Sequence, residues 1–280
     1  MSKLPEKVKT EASAPTVPEV SNHAGSVLRW PLTVVAFNVH GDRRLPSTID
    51  VLKEHHVLRL AAVVVLCEAV RVLSDRDRRH VAEHVAAALG MNYAYVPVFH
   101  FRGERRVQGR RAVGNALLAR APLTEIDMIE LPGRDATMRR LGLLGTPKGL
   151  TASVSVEGQP VRLDVAHLDN RWNPSGRELQ MRRFLAVFAA TGPPLIGGDW
   201  NTTTADLGRP GWLLDLATGF MVDRQRLRRP EPYEPLFSQL DQRGFETRNA
   251  NARPKPTFTP SGLVPRFFAA KARLARCARS

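Results

Sequence analysis

Cysteine is nearly absent from these 280 residues: Cys67 and Cys277 are the whole supply, too few for a disulfide framework and not spaced as a zinc-binding Cys-x-x-Cys pair. A reducing compartment is therefore expected. Aromatic residues make up only 6% of the chain. No stretch approaches the roughly 20 apolar residues that span a bilayer, and the N-terminus, Met1 to Lys7, has no uninterrupted apolar core of the secretory kind. A cytoplasmic protein without a transmembrane segment is expected, and a monomer. Acidic residues are also scarce, 27 against 41 basic ones, which gives a formal charge of +14. That balance speaks to partners and not to fold, and it favours a polyanion such as nucleic acid or an acidic phospholipid surface. Histidine stops at His167 and aspartate at Asp241.

What is present is ordinary for a globular protein. Hydrophobic residues are 43% and charged residues 24%, which excludes a disordered or collagen-like chain. A mass of 31.1 kDa allows about 73% of the extended surface to be buried in one large domain. Residues 1–30 mix Pro, Ser, Ala, Glu and Lys without apolar periodicity and read as a flexible leader. A domain over 31–262 and a basic tail over 263–280 follow.

Short β-rich runs alternate with helical patterns. Leu32 to Phe37, Ala62 to Cys67, Tyr93 to Phe99, Val113 to Leu118, Leu150 to Val156, Val161 to Ala166 and Pro194 to Gly197 read as strands. Ser74 to Leu89, capped by Ser74 or Asp75, and Ser175 to Ala190 read as helices. Gly158-Gln159 separates two strand runs as a hairpin turn would, so mixed sheets are expected. His80 and His84 share a helical face but have no third ligand nearby, and a surface position is expected for both.

Ligands of α/β sheets bind beyond the strand ends, and several apolar runs end in a polar residue there. Asn38, Glu68, His167 and Asp199 each end one, with Asn201 two positions further on. Asn38 and Glu68 are oxygen donors of the type a hard cation such as Mg²⁺ takes, alongside water and phosphate oxygens. His167 is suited to contact a phosphoryl oxygen, and Asp199 with Asn201 to orient an attacking water. The implied reaction is phosphoester hydrolysis. Taken singly, each residue has a plain alternative, since Asn and Asp often open turns and a lone His is more often structural.

Five segments occur in a telling order: Val35-Ala36-Phe37-Asn38-Val39-His40-Gly41, Val64 to Glu68, Gly114-Asn115 to Leu123, Ala166-His167-Leu168-Asp169, and Ile196-Gly197-Gly198-Asp199-Trp200-Asn201. In that order they resemble the motifs of the endonuclease/exonuclease/phosphatase superfamily, the group of exonuclease III and DNase I. The resemblance covers Leu32 to Asn201. It implies a four-layered α/β sandwich, with two packed mixed β-sheets flanked by helices. It also implies Mg²⁺ or Mn²⁺ on Glu68 with Asn38 beside it, and His167, Asp199 and Asn201 as catalytic residues. Arg177 and Gln180 match a helix pattern that follows the histidine motif and are read as structural.

The family's closing Asp-His or Asp-Trp element has no counterpart here. Thr257 to Gly262 resembles its lead-in, but Leu263-Val264-Pro265-Arg266 follows. A chain that binds nucleic acid without turnover is therefore one alternative, and a phospholipid or inositol phosphate phosphoesterase another. Arg102, Arg105, Arg106, Arg110 and Arg111 cluster just ahead of Asn115. Arg105, Arg106, Arg110, Arg111 and Asn115 are the candidates for gripping phosphate, because guanidinium forks fit phosphate oxygens. A solvated loop is the alternative for the arginines.

Overall fold

A computed structural model describes residues 17–42, 45–73, 79–101, 110–133, 143–169, 172–187, 194–202 and 234–247. The strand over 63–73 forms where valine and leucine repeat almost without interruption, as expected of a segment buried on both faces. In chain order the strands are β1 (Glu19–Ser21), β2 (Val34–Asn38), β3 (Val63–Leu73), β4 (Asn92–Phe101), β5 (Arg110–Ala119), β6 (Thr124–Glu130), β7 (Leu143–Leu144), β8 (Lys148–Val156), β9 (Gln159–Val165) and β10 (Leu195–Gly197). The helices are α1 (Leu45–Glu54), α2 (Val81–Leu89), α3 (Pro174–Leu185) and α4 (Leu236–Gln242).

Two sheets result, ordered β1-β4-β5-β3-β2, with β7 also on β4, and β10-β9-β8-β6. Each is antiparallel except at one edge, where β2 runs parallel to β3 and β10 parallel to β9. Both are therefore mixed, as the hairpin at Gly158 implied. Glu157 and Gly158 both take positive φ, 51° and 81°, the backbone a two-residue hairpin loop needs to match strand twist.

One apolar cluster lies between the sheets, joining Val63, Val65, Cys67, Val96 and Leu117 of the first to Leu150, Ala152, Val154, Leu163 and Val165 of the second. The alternate residues of the first sheet, Val64, Leu66, Ala116 and Leu118, pack with Leu52 of α1 and Val81 and Val85 of α2. On the outer face of the second sheet, Phe184 lies over Gly149, where a Cβ would come within 2.2 Å of its ring. The chain is thus an α/β sandwich with flanking helices, the architecture expected.

Three expectations need correction. The leader does not stay unstructured to residue 30: β1 pairs antiparallel with Tyr93 to Tyr95 of β4, and Leu28 is buried against the inter-sheet core. Leu28 supplies an apolar contact, and β1 a run of backbone pairing, that composition averaged over the segment conceals. The helix expected from Ser74 begins at Val81, because β3 runs on to Leu73 and His80 returns to bridge Arg71. Its cap is His80, whose Nδ1 accepts the Glu83 N–H at 3.3 Å; Ser74 and Asp75 lie outside the described residues. His80 is accordingly buried, and burial pushes its imidazole down to about 4, so the neutral ring can accept that bond.

By contacts the chain divides into two units, Met1–Leu168 with Arg183–Trp200, and Asp169–Arg182 with Asn201–Ser280. In the second unit the Arg177 fork is held by Glu234, with Nε donating at 3.2 Å, and Arg177 also donates to the Trp172 carbonyl. Gln180 accepts the Asp169 N–H at 2.9 Å. Both act structurally, as read. The tail 263–280 and Thr257 to Gly262 lie outside the described residues.

Candidate active site

β2 ends with Asn38, whose Oδ1 accepts the His40 N–H at 2.9 Å and so closes a tight turn. The turn is fastened to β3 by the Val39 N–H to the Cys67 carbonyl and the Gly41 N–H to the Glu68 carbonyl, 3.0 and 3.1 Å. Glu68 occupies a bulge in β3, where the register with β5 shifts between Leu66 and Ala69. Its φ is +57°, a left-handed conformation rare for a non-glycine residue and enriched at functional positions. The bulge turns Glu68 off the alternation that buries Cys67 and Ala69 on either side of it.

From the second sheet, β9 and β10 leave together. The Ala166 N–H donates to the Gly197 carbonyl at 3.2 Å and the Leu168 N–H to the Asp199 carbonyl at 3.0 Å, which fixes His167 beside Asp199. Gly198 between them has φ +145°, and a Cβ there would come within 2.0 Å of the Ala166 carbonyl oxygen. Only glycine allows this approach.

The two sets meet. Asn38 Nδ2 donates to Asp199 Oδ2 at 2.8 Å and to Glu68 Oε1 at 3.1 Å. His167 Nε2 stands 4.0 Å from Glu68 Oε1. The Asp199 N–H donates to Cys67 Sγ at 3.3 Å, joining the sheets directly behind the carboxylates. Burial pushes the Cys67 thiol up to about 12, so at neutral pH it is a protonated packing group and not a thiolate ligand.

Four of the expected residues, Asn38, Glu68, His167 and Asp199, thus converge within the first unit. Asn201 belongs to the second unit and also has a positive φ, 49°. Asn115 has a different place from the one expected. Its side chain is buried and donates to the Lys148 carbonyl at 2.8 Å, tying β5 to β8. Arg111 is drawn into an ion pair with Asp42, which also holds Arg79 at 2.7 Å. Asp42 is buried enough to act as an internal anion for both, so Arg111 Nη2 is committed inside the protein. Arg102, Arg105 and Arg106 lie outside the described residues, as does the side chain of Arg110.

Two further residues stand near the centre. His40 Nδ1 lies 3.3 Å from Glu68 Oε2, and Asp42 anchors the same loop. Neither residue terminates an apolar run, so neither carries the sequence signal that marks Asn38, Glu68, His167 and Asp199.

Among the described residues no three His, Cys, Asp or Glu side chains gather into a ready-made metal cage. The donor chemistry nonetheless fits a hard divalent ion. Glu68 and Asp199 bring two carboxylates to a single neutral amide. One or two carboxylates, completed by water and substrate oxygens, are what Mg²⁺ takes.

No protein-family model and no curated protein sequence matches the chain. Among solved structures it is similar to an endonuclease/exonuclease/phosphatase from Beutenbergia cavernae DSM 12333, with 21% identity and a TM-score of 0.48 over 62% of this chain and 48% of that one. The match therefore spans about half of that protein's length. An endonuclease/exonuclease/phosphatase family protein from Leptotrichia buccalis C-1013-b gives 14% identity and a TM-score of 0.44, over 67% and 72% of the two chains. Sphingomyelinase C from Streptomyces griseocarneus gives 16% identity and a TM-score of 0.39, over 66% and 68%.

Proposed function

We propose that this chain is a divalent-metal-dependent phosphoesterase that hydrolyses phosphodiester bonds in nucleic acid by attack of an activated water. The observation that carries the reading is the meeting of Asn38, Glu68, His167 and Asp199, drawn from both sheets to one point.

Glu68, with Asn38 beside it, would hold Mg²⁺ or Mn²⁺. When bound, the cation supplies Lewis-acid stabilisation of charge on the phosphoryl oxygens. Asp199 orients the attacking water and accepts its proton; the Leu168 and Cys67 contacts on its backbone keep the carboxylate aimed. His167, 21% exposed at its side chain, donates a hydrogen bond to a phosphoryl oxygen as negative charge grows there. The +14 charge supports a nucleic acid substrate through attraction to its backbone.

The test is hydrolysis of plasmid DNA and of a chromogenic phosphodiester with Mg²⁺ or Mn²⁺, comparing wild type with Glu68→Ala and His167→Ala. Each substitution lowers the rate by about 10²-fold or more. Absence of hydrolysis with every divalent metal, in a protein that melts cooperatively, refutes the enzymatic reading. A second reading, nucleic acid binding without turnover, is favoured by Leu263-Val264-Pro265-Arg266, which follows Thr257 to Gly262 where the resemblance implies an Asp-His or Asp-Trp element. Salt-sensitive DNA binding without cleavage would establish it.

A further inference from the structure

His40 is joined to both residues assigned to the cation. Its backbone N–H holds Asn38 Oδ1 at 2.9 Å, and its ring Nδ1 lies 3.3 Å from Glu68 Oε2. The amide oxygen keeps a second lone pair after accepting that bond. The His40 side chain is 82% exposed, so neither packing nor burial accounts for its orientation toward Glu68.

The backbone repeats the message. His40 has φ +48° and Glu68 φ +57°, two left-handed non-glycine residues whose side chains meet. Each costs on the order of 1 kcal/mol, and glycine at position 40 would remove that cost. A strained histidine kept at the surface against a carboxylate is better explained by a ligand than by stability.

We propose that His40 is an imidazole ligand of the cation held on Glu68 and biases the site toward Mn²⁺ over Mg²⁺. Two adjacent ligands at about 2.1 Å in an octahedral shell are about 3.0 Å apart, so Nδ1 and Oε2 need to close by only a few tenths of an ångström. His167 Nε2 is farther from the same carboxylate, 4.0 Å from Oε1, and stays free for substrate. Imidazole nitrogen suits transition metals, whereas Mg²⁺ prefers oxygen and keeps its water. In a site with so few protein donors, one nitrogen decides the preference.

The inference deepens the phosphoesterase reading and rests on it only in placing a cation on Glu68. The test uses the full chain and two readouts, calorimetric affinity for Mn²⁺ and Mg²⁺, and pulsed EPR of bound Mn²⁺ for coupling to ¹⁴N. Wild type shows ¹⁴N coupling, and it persists in His167→Ala. His40→Gly, which accepts the backbone conformation without strain, loses the coupling. Its Mn²⁺ affinity falls at least about tenfold, the lower end of what even an outer-shell loss costs a metal site, while Mg²⁺ affinity stays within about twofold because oxygen donors hold that ion. Equal changes for both metals, no change for either, or ¹⁴N coupling that survives in His40→Gly would each overturn the role of His40 while leaving the cation site standing. If wild type binds neither metal, the cation site fails and His40 with it.

Discussion

Gly198→Ala removes nothing and adds one methyl group, yet it strikes the point where the second sheet delivers the site. The ideal Cβ lies 2.0 Å from the Ala166 carbonyl oxygen and 3.0 Å from its carbonyl carbon. Both are backbone atoms, so no side chain can swing aside. Overpacking of this kind costs about 1 to 3 kcal/mol, and a φ of +145° adds about 1 to 2 kcal/mol for any L side chain. The sum is about 3 kcal/mol if the two strand ends stay together, a large fraction of a domain's stability. The chain can avoid part of it only by letting β10 retreat from β9. That would stretch the Ala166 N–H to Gly197 and Leu168 N–H to Asp199 bonds, now 3.2 and 3.0 Å, and carry Asp199 away from Asn38. Denaturant unfolding measures the stability loss, and phosphodiester hydrolysis on the folded fraction measures the displacement. A Gly198→Ala protein that unfolds with the wild-type midpoint and keeps its activity would show that the approach of residue 198 to Ala166 is not a constraint.

Two further substitutions test how the sandwich is built. Burial pushes the Asp164 carboxyl up from 3.8 to about 6 against the pull of Thr151 and Arg162, so the folded state binds this proton more tightly than the unfolded one. Stability from this group is full below about pH 4 and is lost as pH rises toward 6, by up to about 3 kcal/mol; Asp164→Asn should flatten that slope in urea titrations between pH 4 and 7, and an unchanged slope would contradict it. Asn115→Ala should lower stability by about 1 to 3 kcal/mol by leaving the buried Lys148 carbonyl without its donor. A variant with unchanged melting but weakened substrate binding would return Asn115 to the phosphate-gripping role first expected.

Most strands were legible because the sandwich buries them on both faces: Ala62 to Cys67 and Leu150 to Val156 read as strands from short apolar, β-rich runs. β6 escaped notice although Ile126 and Met128 alternate with Glu125 and Asp127. An edge strand with one open face carries acidic residues that depress the propensity signal. β1 was hidden in the same way, within a segment whose average composition is that of a linker. At the site, residues that end strands were recognisable because their position follows from chain order. The contacts of Asn115 and Arg111 with Lys148 and Asp42 were not legible, because both partners are distant in sequence and are brought close only by the packed sheets. A motif shows that a polar group is needed and leaves open which neighbour uses it.

The topology explains why four residues so far apart in sequence become neighbours. Adjacent antiparallel strands end at opposite edges of a sheet, and only a parallel pair brings two C-terminal directions to one edge. Each sheet here contains one such pair, β2 with β3 and β9 with β10. The first places Asn38 opposite Cys67, one residue before Glu68; the second places Gly197 opposite Val165, two residues before Asp199 and His167 respectively. Cys67 and Val165 belong to the same inter-sheet cluster, so the packing that closes the core also sets the gap between the polar pairs. The Asp199 N–H to Cys67 Sγ bond spans that gap at the level of the core, and the Asn38 to Asp199 bond spans it one step further out. Core volume at Cys67 and Val165 therefore bears on the separation of Glu68 from Asp199 as well as on the closure of the sandwich.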